Sequence, residues 1–509
     1  MSYFNCHSHT MYSNIRLLDC INRPKALINK AIELGLSGIA ITDHECVSAS
    51  IEVNQIASKL RETNPDFTVA LGNEIYLVNE RGNGQKYFHF ILIAKDAIGH
   101  KALRELSSTA WYNSYTDRAM ERVPTTKNEL REIVQKYKGH VIATTACMGG
   151  ELSTNALLMA EAEAVEDHKN ALVYYNNMLD FLTFCIGLFG DDFYIECAPS
   201  TARDQMMVNR ALYQVASACD IKMVVGTDAH YLRPEDRPVH KAYLNSKGGE
   251  REVDSFYEFA YLMTPDEVRN YLAPCFPNGV NDVEQMFVNS EEMRRKISFY
   301  SLERKQSIPK VEVKDYPVSN MKFSHGPVIN SLLVSDNIQE RYWINECLNA
   351  LHEKGLWNDE YIARIEIEAD VIKYIGDKLN DCLFAYFNTF KHYIDLFWEC
   401  GSIVGPGRGS ATGFLSNYLL GITQLDPIRW KLPYWRFLNK ERAELPDIDI
   451  DLAPSKRPNI FKAIRKERGE LGLIQVGTFG TEGTKSAILT ACRGYRSEDC
   501  PDGIDVDEA

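Results

Sequence analysis

Apolar positions in the first part of the chain follow two alternating periods. Strand-like runs recur at FNCHSH, SGIAITDH, FTVALGNEIYLV, YFHFILIA, HVIATTAC, DFYIECAP and KMVVGTDAHY, and stretches with a helical period, such as PKALINKAIELG, separate several of them. This alternation favours parallel strands joined by helices. We therefore predict an α/β fold that opens with a seven-stranded barrel of the (β/α)7 type.

Side chains able to bind metal lie in or just after these predicted strands. In a parallel barrel, chemistry gathers where the strands end and the loops open. A lone histidine is usually structural, but histidine, carboxylate and thiolate groups together suit Zn²⁺, Mn²⁺ or Fe²⁺ and exceed the needs of one tetrahedral ion. Two or three ions are implied, and such a cluster can hydrolyse phosphoesters. The strand-end candidates are His7, His9, Asp43, His44, Glu74, His89, Cys147, Asp228 and His230.

The alternation ends after about residue 280, and a connection bounded by prolines follows. Farther along, an amphipathic and an apolar helical pattern flank the glycine-rich stretch GPGRGSATG, residues 405–413. Its glycines would let backbone N–H groups approach a phosphate, Ser410 could donate a further hydrogen bond, and Arg408 adds positive charge. This stretch is either a triphosphate cradle or only a tight turn.

Carboxylates alternate with apolar residues in LPDIDIDLAPSKRP, residues 445–458. In an extended strand Asp447, Asp449 and Asp451 would share one face, and the isoleucines between them would point into a core. Carboxylates this close destabilise one another unless a cation lies between them, and hard oxygen ligands suit Mg²⁺. The pattern therefore predicts either a magnesium site or a half-buried strand with a solvated acidic face.

Length and composition set outer limits on these interpretations. The 509 residues suffice for about three domains. The N-terminus lacks a signal-peptide pattern and no run of eighteen apolar residues is evident, so we expect a cytoplasmic protein. The 13 cysteines include no paired metal-binding motif, which argues against a disulfide framework and a zinc ribbon. The formal charge of −14 requires that any nucleic-acid contact be a local basic groove.

The first set of motifs resembles a known family. CHSHTMYS, ITDHE, GNE, the histidine of YFHFILIA, TTACMGGEL and GTDAHYLRPED resemble the PHP (polymerase and histidinol phosphatase) domain that opens bacterial C-family replicative polymerases. The resemblance implies 3′–5′ exonuclease proofreading. Glu45 and Cys20 stand where the family often has glycine, which affects loop geometry more than ligation. The implied metal ligands are His7, His9, Asp19, His44, Glu74, His89, Cys147, Asp228 and His230.

The second set of motifs resembles the palm and early thumb of the DNA polymerase III alpha subunit. VGPGRGSATG, LGITQLDP, RFLNKERAELPDIDIDL and VGTFGT occur in the order of that family. The resemblance implies an incomplete α+β nucleotidyltransferase palm of the polymerase β type. The implied domains are the barrel at 1–280, a partial palm at 281–475 and the start of a truncated thumb at 476–509.

Roles in nucleotidyl transfer follow from this second resemblance. Asp447 and Asp449 would be the catalytic carboxylates that bind Mg²⁺, with Asp451 supporting, and Gly409 and Ser410 would contact the nucleotide. The substrates would be primer–template DNA and dNTPs. The family's third catalytic aspartate and its fingers are expected on a C-terminal polymerase chain, which could also bind a sliding clamp. The sequence leaves open whether this chain is an engineered fragment or half of a split enzyme.

A local basic segment follows the aspartates directly. Substrate DNA would have to lie beside them, which favours phosphate contacts, although interspersed glutamates also fit a solvated helix. Two readings of the whole chain compete with a polymerase: a free-standing PHP phosphoesterase of small substrates, and a catalytically silent scaffold subunit. The basic candidates are Lys456, Arg457, Lys462, Arg465, Lys466 and Arg468.

Overall fold

The computed structural model describes residues 2–82, 84–117, 120–246, 254–495 and 504. It divides into two compact units, the first formed by 1–303 together with 481–509 and the second by 304–480. The first unit is built around one barrel-like sheet, and the second is helical. The prediction of a mixed α/β chain that opens with a barrel is confirmed.

Seven strands form the barrel in the order β1, β2, β3, β4, β8, β9, β10. Parallel backbone contacts between Ser8 and Ala229 bring the first and last strands together. Strand β7 pairs with the end of β3, and β5 and β6 form a separate hairpin. The strands are β1 Phe4–Asn5, β2 Gly38–Ile41, β3 Thr68–Val78, β4 Phe88–Ala94, β5 Tyr115–Asp117, β6 Met120–Arg122, β7 Thr125–Thr126, β8 Val141–Thr144, β9 Phe193–Cys197 and β10 Met223–Val225.

The direction of β4 corrects the expectation of a wholly parallel barrel. This strand pairs antiparallel with both β3 and β8, whereas the other neighbouring pairs in the barrel are parallel. Only a short connection, residues 79–87, joins β3 to β4, and a parallel crossover needs a dozen or more residues. The start of β4 therefore lies at the same edge as the ends of its neighbours.

Helices surround the barrel in the first unit and bury its outer face. Apolar strands such as β2, all of whose residues are buried, are typical of sheets covered on both faces. These helices are α1 Pro24–Glu33, α2 Ser50–Leu60, α3 Ala97–Tyr112, α4 Lys127–Lys136, α5 Glu151–Ala164, α6 His168–Phe189, α7 Arg203–Cys219, α8 Arg237–Asn245, α9 Asp254–Tyr257, α10 Pro265–Leu272, α11 Val280–Arg295 and α18 Thr484–Gly494.

One of these helices has the length and composition of a membrane span. An 18-residue window within helix α6 and the residues after it, His168–Asp192, has a mean hydropathy of 1.2. Polar residues such as Asn176, Asn177 and Asp180 interrupt the segment, so it contains no unbroken run of eighteen apolar residues. Met178, Phe181, Leu182 and Cys185 of α6 are buried in the core of the first unit, whereas Leu172, Val173 and Ile186 of the same helix are exposed.

The second unit is a cluster of helices. Residues 304–480 are described throughout and contain no regular strand; the acidic segment is extended and makes an isolated bridge between Val404 and Leu452. Trp343, Phe384, Phe387 and Phe414 are among the side chains of its core. Its helices are α12 Pro327–Leu333, α13 Ile338–Glu353, α14 Asp359–Leu379, α15 Phe384–Glu399, α16 Leu415–Leu419 and α17 Arg457–Arg468.

The boundary between the units falls after the predicted position near residue 280. Helix α11 belongs to the first unit because Val283, Met286 and Phe287 are buried in its core, and the Phe4 amide donates to the Ser290 hydroxyl. Helix α18, within the predicted thumb segment 476–509, packs against α8 of the first unit. The rest of that segment beyond residue 495, except residue 504, lies outside the described residues.

Candidate functional site

The predicted metal ligands converge at one edge of the barrel. Loops after β1, β2 and β10 bring in most of them, while Glu74 lies within β3. His89 enters from the start of β4, and the antiparallel direction of that strand is what places it at this edge. Eight of the nine residues fall into three overlapping groups whose ligand atoms lie within 4.8 Å of one another: His9, His44 and His230; His7, His9, Glu74 and Asp228; and Glu74, His89 and Cys147.

The central group has four buried side chains around one point. The Nε2 atoms of His7 and His9 lie 3.0 Å apart, and each lies 3.0 Å from Oε2 of Glu74. Oδ1 of Asp228 lies 3.2 Å from the first of these nitrogens and 3.1 Å from the second. Two imidazoles and two carboxylates thus direct nitrogen and oxygen atoms at a common centre.

Asp19 is the one predicted ligand outside the three groups, and it contacts one of them. Its Oδ2 lies 2.6 Å from Nε2 of His44 and 3.2 Å from Nε2 of His230. The Tyr257 hydroxyl donates to its other oxygen, Oδ1. The carboxylate therefore either binds metal with these histidines or orients their rings.

The third group adds sulfur. Sγ of Cys147 lies 3.5 Å from Nδ1 of His89, and the same nitrogen contacts Oε1 of Glu74. Burial raises the pKa of the Cys147 thiol well above its usual value, and the negative charge of nearby Asp228 raises it further. A cation at this position would favour the thiolate, the form that binds metals.

Charges in the cluster strongly shift the protonation of its members. Burial alone would lower the pKa of His7, but the carboxylates of Asp228, Glu196 and Glu74 raise it well above its usual value. Burial would raise the pKa of Glu74, yet His89, His44 and His7 hold it well below its usual value. The folded cluster thus favours an ionised Glu74 beside a protonated His7, an arrangement in which a metal ion can replace the proton.

The residues present fit bound metal ions. Nδ1 of His44 is buried without a hydrogen-bond partner among the described residues, and buried Oδ1 of Asp228 makes no hydrogen bond of good geometry although it lies 3.1 Å from Nε2 of His9. Buried polar atoms are normally satisfied, and those left unpaired call for an explanation such as an ion. Nitrogen, oxygen and sulfur donors together suit Zn²⁺, Mn²⁺ or Fe²⁺.

Glu196 of β9 is a site residue that the sequence reasoning did not single out. Its Oε1 lies 2.7 Å from Nδ1 of His7, and its Oε2 accepts a 2.6 Å hydrogen bond from the Thr144 hydroxyl. A carboxylate in this position fixes the ring so that Nε2 points to the cluster. A glutamate inside the apolar strand FYIEC was the signal that could have revealed it.

Glu45, which stands where the PHP family often has glycine, adopts a backbone conformation typical of glycine. Its φ of 56° lies in the left-handed region that glycine tolerates best. Burial raises the pKa of its carboxyl to about 7, against the opposing charge of Arg16, with which it forms a buried ion pair. Arg16 also donates to the backbone oxygen of Glu121 in β6. The pair thus ties the loop beside His44 to the hairpin.

In the second unit the glycine-rich turn lies against the acidic segment. The Gly405 amide donates a 2.9 Å hydrogen bond to the carbonyl oxygen of Asp451. The predicted alternation of burial is present: Asp447, Asp449 and Asp451 are exposed, while Ile448 is buried. The two motifs, 40 residues apart in sequence, therefore form one surface.

Arg408 connects the turn to the carboxylates. Its guanidinium lies 3.5 Å from Asp449 and 3.4 Å from Asp451, with all three side chains about half exposed. Gly409 has φ of 68° and ψ of −160°, a conformation open essentially only to glycine, and Ser410 follows at the start of a short 3₁₀ turn. Arg408, one of the predicted nucleotide-binding residues, therefore contacts the carboxylates, and Gly409 and Ser410 follow it directly in the turn.

A buried ion pair, not expected from the sequence, supports this turn. Glu368 of α14 is fully buried; it accepts hydrogen bonds from the amides of Leu415 (2.7 Å) and Ser416 (2.8 Å) and pairs with Arg364 at 2.9 Å. Burial raises the pKa of this carboxyl despite those donors. The start of α16, just after the glycine-rich turn, is therefore fixed to α14.

The predicted basic segment coincides with α17 and the residue before it. Ile460 and Ile464 are buried, whereas Arg457, Lys462 and Lys466 are exposed. Lys456 and Arg465 are half-buried, and Arg465 lies 3.8 Å from Glu470. Arg468 hydrogen-bonds the Tyr393 hydroxyl and pairs with Glu467. Arg468 is exposed as well but already has these partners, so Arg457, Lys462 and Lys466 are the best placed of these residues for solution contacts.

Comparison with known families covers both units. The model of the PHP domain matches residues 5–200, and that of the bacterial DNA polymerase III alpha NTPase domain matches residues 331–502. The chain thus carries a PHP domain and a bacterial DNA polymerase III alpha NTPase domain. The resemblances drawn from the sequence motifs are thereby confirmed.

Individual relatives agree with this assignment. The chain is 39% identical over 528 residues to the DNA-directed DNA polymerase of Bacillus phage SPbeta, covering 99% of this chain and 40% of that protein. It is 28% identical over 521 residues to DNA polymerase III subunit alpha of Campylobacter jejuni, covering 97% and 39%. The corresponding subunit of Thermus aquaticus is 27% identical over 548 residues, covering 97% and 42%. The chain thus spans well under half the length of these polymerase III alpha relatives.

Proposed function

We propose that this chain is the N-terminal part of a replicative DNA polymerase and that its PHP domain removes nucleotides from the 3′ end of DNA. The observation that carries the proposal is the convergence of eight buried or half-buried metal-binding side chains at one barrel edge. A replicative DNA polymerase binds DNA, so the substrate of this barrel edge would be a DNA end. Hydrolysis at a 3′ end would support proofreading.

The nine predicted ligands would hold two or three ions of Zn²⁺, Mn²⁺ or Fe²⁺. When bound, such ions supply hydroxide near neutral pH and a clamp for a phosphoester. The chain's own residues shape the site around them. Glu196 holds the His7 ring with Nε2 toward the cluster, and Tyr257 holds Asp19 against His44 and His230.

For the second unit we propose nucleotidyl transfer. Asp447 and Asp449 would hold Mg²⁺, with Asp451 supporting, and Gly409, Ser410 and Arg408 would bind the dNTP triphosphate. The closeness of the turn to the carboxylates supports this assignment. Primer–template DNA would contact the basic segment, principally through Arg457 and Lys462, with Lys456 and Arg465 beside them.

The proposed polymerase site also needs groups from elsewhere. The three carboxylates lie on one extended segment, so they could bind ions from one side only. We propose that a C-terminal polymerase chain supplies a third carboxylate, the surface for the incoming base and any contact with a sliding clamp.

A direct test of the PHP proposal uses a single-stranded oligonucleotide labelled at its 5′ end. With Mn²⁺ or Zn²⁺, the chain should shorten the oligonucleotide stepwise from the 3′ end, and excess chelator should stop the reaction. Hydrolysis of small sugar phosphates without any shortening of DNA would instead indicate a free-standing phosphoesterase. A metal-free chain with unchanged stability in chelator would indicate a scaffold.

A further inference from the structure

Two cavities of different size meet at the candidate metal centre. The metal cavity, of about 120 Å³, is lined by His44, His89 and His230 among others. The adjoining cavity, of about 490 Å³, is lined in part by residues 198–205 at the start of α7. Asp228 and Phe256 line both cavities. The two cavities therefore share a wall, and a ligand that extended from one to the other would pass Asp228 and Phe256.

Their sizes suit different parts of one ligand. At about 30 Å³ for each water molecule, the metal cavity has room for about four waters, which is enough for a phosphate group but not for a nucleoside. The adjoining cavity falls within the range of about 300–1,000 Å³ that small-molecule sites occupy. A nucleotide with its phosphate at the metals would place its nucleoside in this larger space.

The aromatic wall of the adjoining cavity is fixed to the loop that carries Asp228. The His230 amide donates a 2.8 Å hydrogen bond to the carbonyl oxygen of Ala260. The Tyr231 hydroxyl donates a 2.6 Å hydrogen bond to the backbone carbonyl oxygen of Tyr257. Phe259 also packs edge-on against Tyr271, with ring centroids 5.4 Å apart. The wall is therefore held at a set distance from the metal cluster.

The lining of this cavity favours a flat, apolar group over a length of DNA backbone. Phe256 and Phe259 line it, and both side chains are partly exposed. Arg203 is its one basic lining residue among those described, opposed by Asp204 and Glu258. A groove for several phosphates would need more positive charge, whereas aromatic faces stack with any base.

We infer that the adjoining cavity binds the 3′-terminal nucleoside of single-stranded DNA, with its base against Phe256 and Phe259. This inference rests on the proposed function and names the substrate of that same site. A base can enter only when it is unpaired, so the cavity would select frayed or mispaired ends. Stacking would supply affinity without preference for one base.

Binding measurements on the full 509-residue chain test this inference. Titration calorimetry with Mn²⁺-loaded chain would compare dAMP with 2-deoxyribose 5-phosphate, which lacks the base. We expect dAMP to bind about tenfold more tightly, the effect of one base stacked on aromatic rings. Phe259→Ala should remove most of that difference and Phe259→Leu part of it, while the affinity for the baseless sugar phosphate stays unchanged. Phe256→Ala should also remove most of the difference, but because Phe256 lines the metal cavity too, the sugar-phosphate control applies to the Phe259 variants alone.

Phe299→Ala is the matched control, because Phe299 lies outside both cavities, 41% exposed, under Arg61. It should leave the dAMP preference intact. Equal affinity of the wild-type chain for the two probes, or indifference to both cavity variants, would overturn the inference. Because binding is the readout, a chain that prefers dAMP as expected but does not shorten DNA would defeat the nuclease proposal alone.

Discussion

The amide of Gly405 donates a 2.9 Å hydrogen bond to the carbonyl oxygen of Asp451. A β-carbon added at Gly405 would lie 3.0 Å from Cβ of Asp451, so the close approach depends on the glycine. Together with the contacts of Arg408 to Asp449 and Asp451, this bond links the glycine-rich turn to the acidic segment. It makes the predicted triphosphate and magnesium sites neighbours.

Gly409→Ala should destabilise the second unit. Its φ of 68° with ψ of −160° is essentially closed to other residues, and such backbone strain costs about 1–3 kcal/mol. Scanning calorimetry should show an earlier unfolding transition for that unit. Gly477→Ala is the control, since its surroundings are open and its φ is not positive. Equal midpoints for both variants would contradict the turn geometry.

Glu368→Ala should destabilise the second unit by about 3–5 kcal/mol, because it leaves Arg364 and two helix-start amides without their carboxylate partner. Glu368→Gln, which keeps an acceptor, should cost less. The exposed pair of Lys440 and Asp370 provides a control, for which Asp370→Ala should change stability by about 1 kcal/mol or less. Unfolding in denaturant would measure the stability of each variant. A larger loss of stability for Asp370→Ala than for Glu368→Ala would contradict the conclusion that Glu368 fixes the start of α16.

Removing metal should lower the thermal midpoint of the first unit. An ion that binds only the folded cluster stabilises it, by about 2.7 kcal/mol at a hundredfold excess over its dissociation constant. Asp228→Asn combined with His230→Ala should reduce the bound metal and abolish the shift caused by chelator. Glu235→Gln, at an exposed position nearby, should behave as wild type. Full metal occupancy in the double variant would refute the ligand assignment.

Primer extension should require a second polypeptide. The purified chain is expected to add no nucleotides by itself and to gain activity when mixed with a chain carrying the remaining thumb, palm and fingers. Asp447→Asn or Asp449→Asn should abolish the restored activity without preventing assembly, because both side chains are exposed. Extension by the isolated chain, verified free of other polymerases, would contradict the incomplete site.

The sequence predicted the barrel and its candidate ligands because both leave local signals. Strand runs such as SGIAITDH place a metal-binding residue directly after an apolar stretch. The reversal of β4 left its signal in the spacing and not in the strand itself, because the connection to β3 is too short for a parallel crossover, and the prediction did not use that length. Glu196 and Glu368 were missed for another reason: each acts through a partner distant in sequence, His7 or the start of α16. Only the tertiary structure shows these pairs.

The division between the units was predicted too early because the loss of alternation after residue 280 marks the end of the strands and not the end of the core. Helix α11 completes that core through Phe287 and Met286. The acidic segment was likewise expected as a strand, but it is extended with only an isolated bridge at Leu452. Its alternation of exposed aspartates with a buried isoleucine nevertheless follows the predicted pattern.

The most direct test of two separate sites measures 3′-end hydrolysis of single-stranded DNA by His9→Ala, His44→Ala and Asp449→Ala chains in Mn²⁺. His9 and His44 face the buried cluster of the first unit, whereas Asp449 is exposed in the second. Circular dichroism would establish that each variant is folded. We predict that both histidine variants lose hydrolysis and that the Asp449 variant keeps the wild-type rate. Loss in the Asp449 variant with activity retained in the His9 variant would contradict the account.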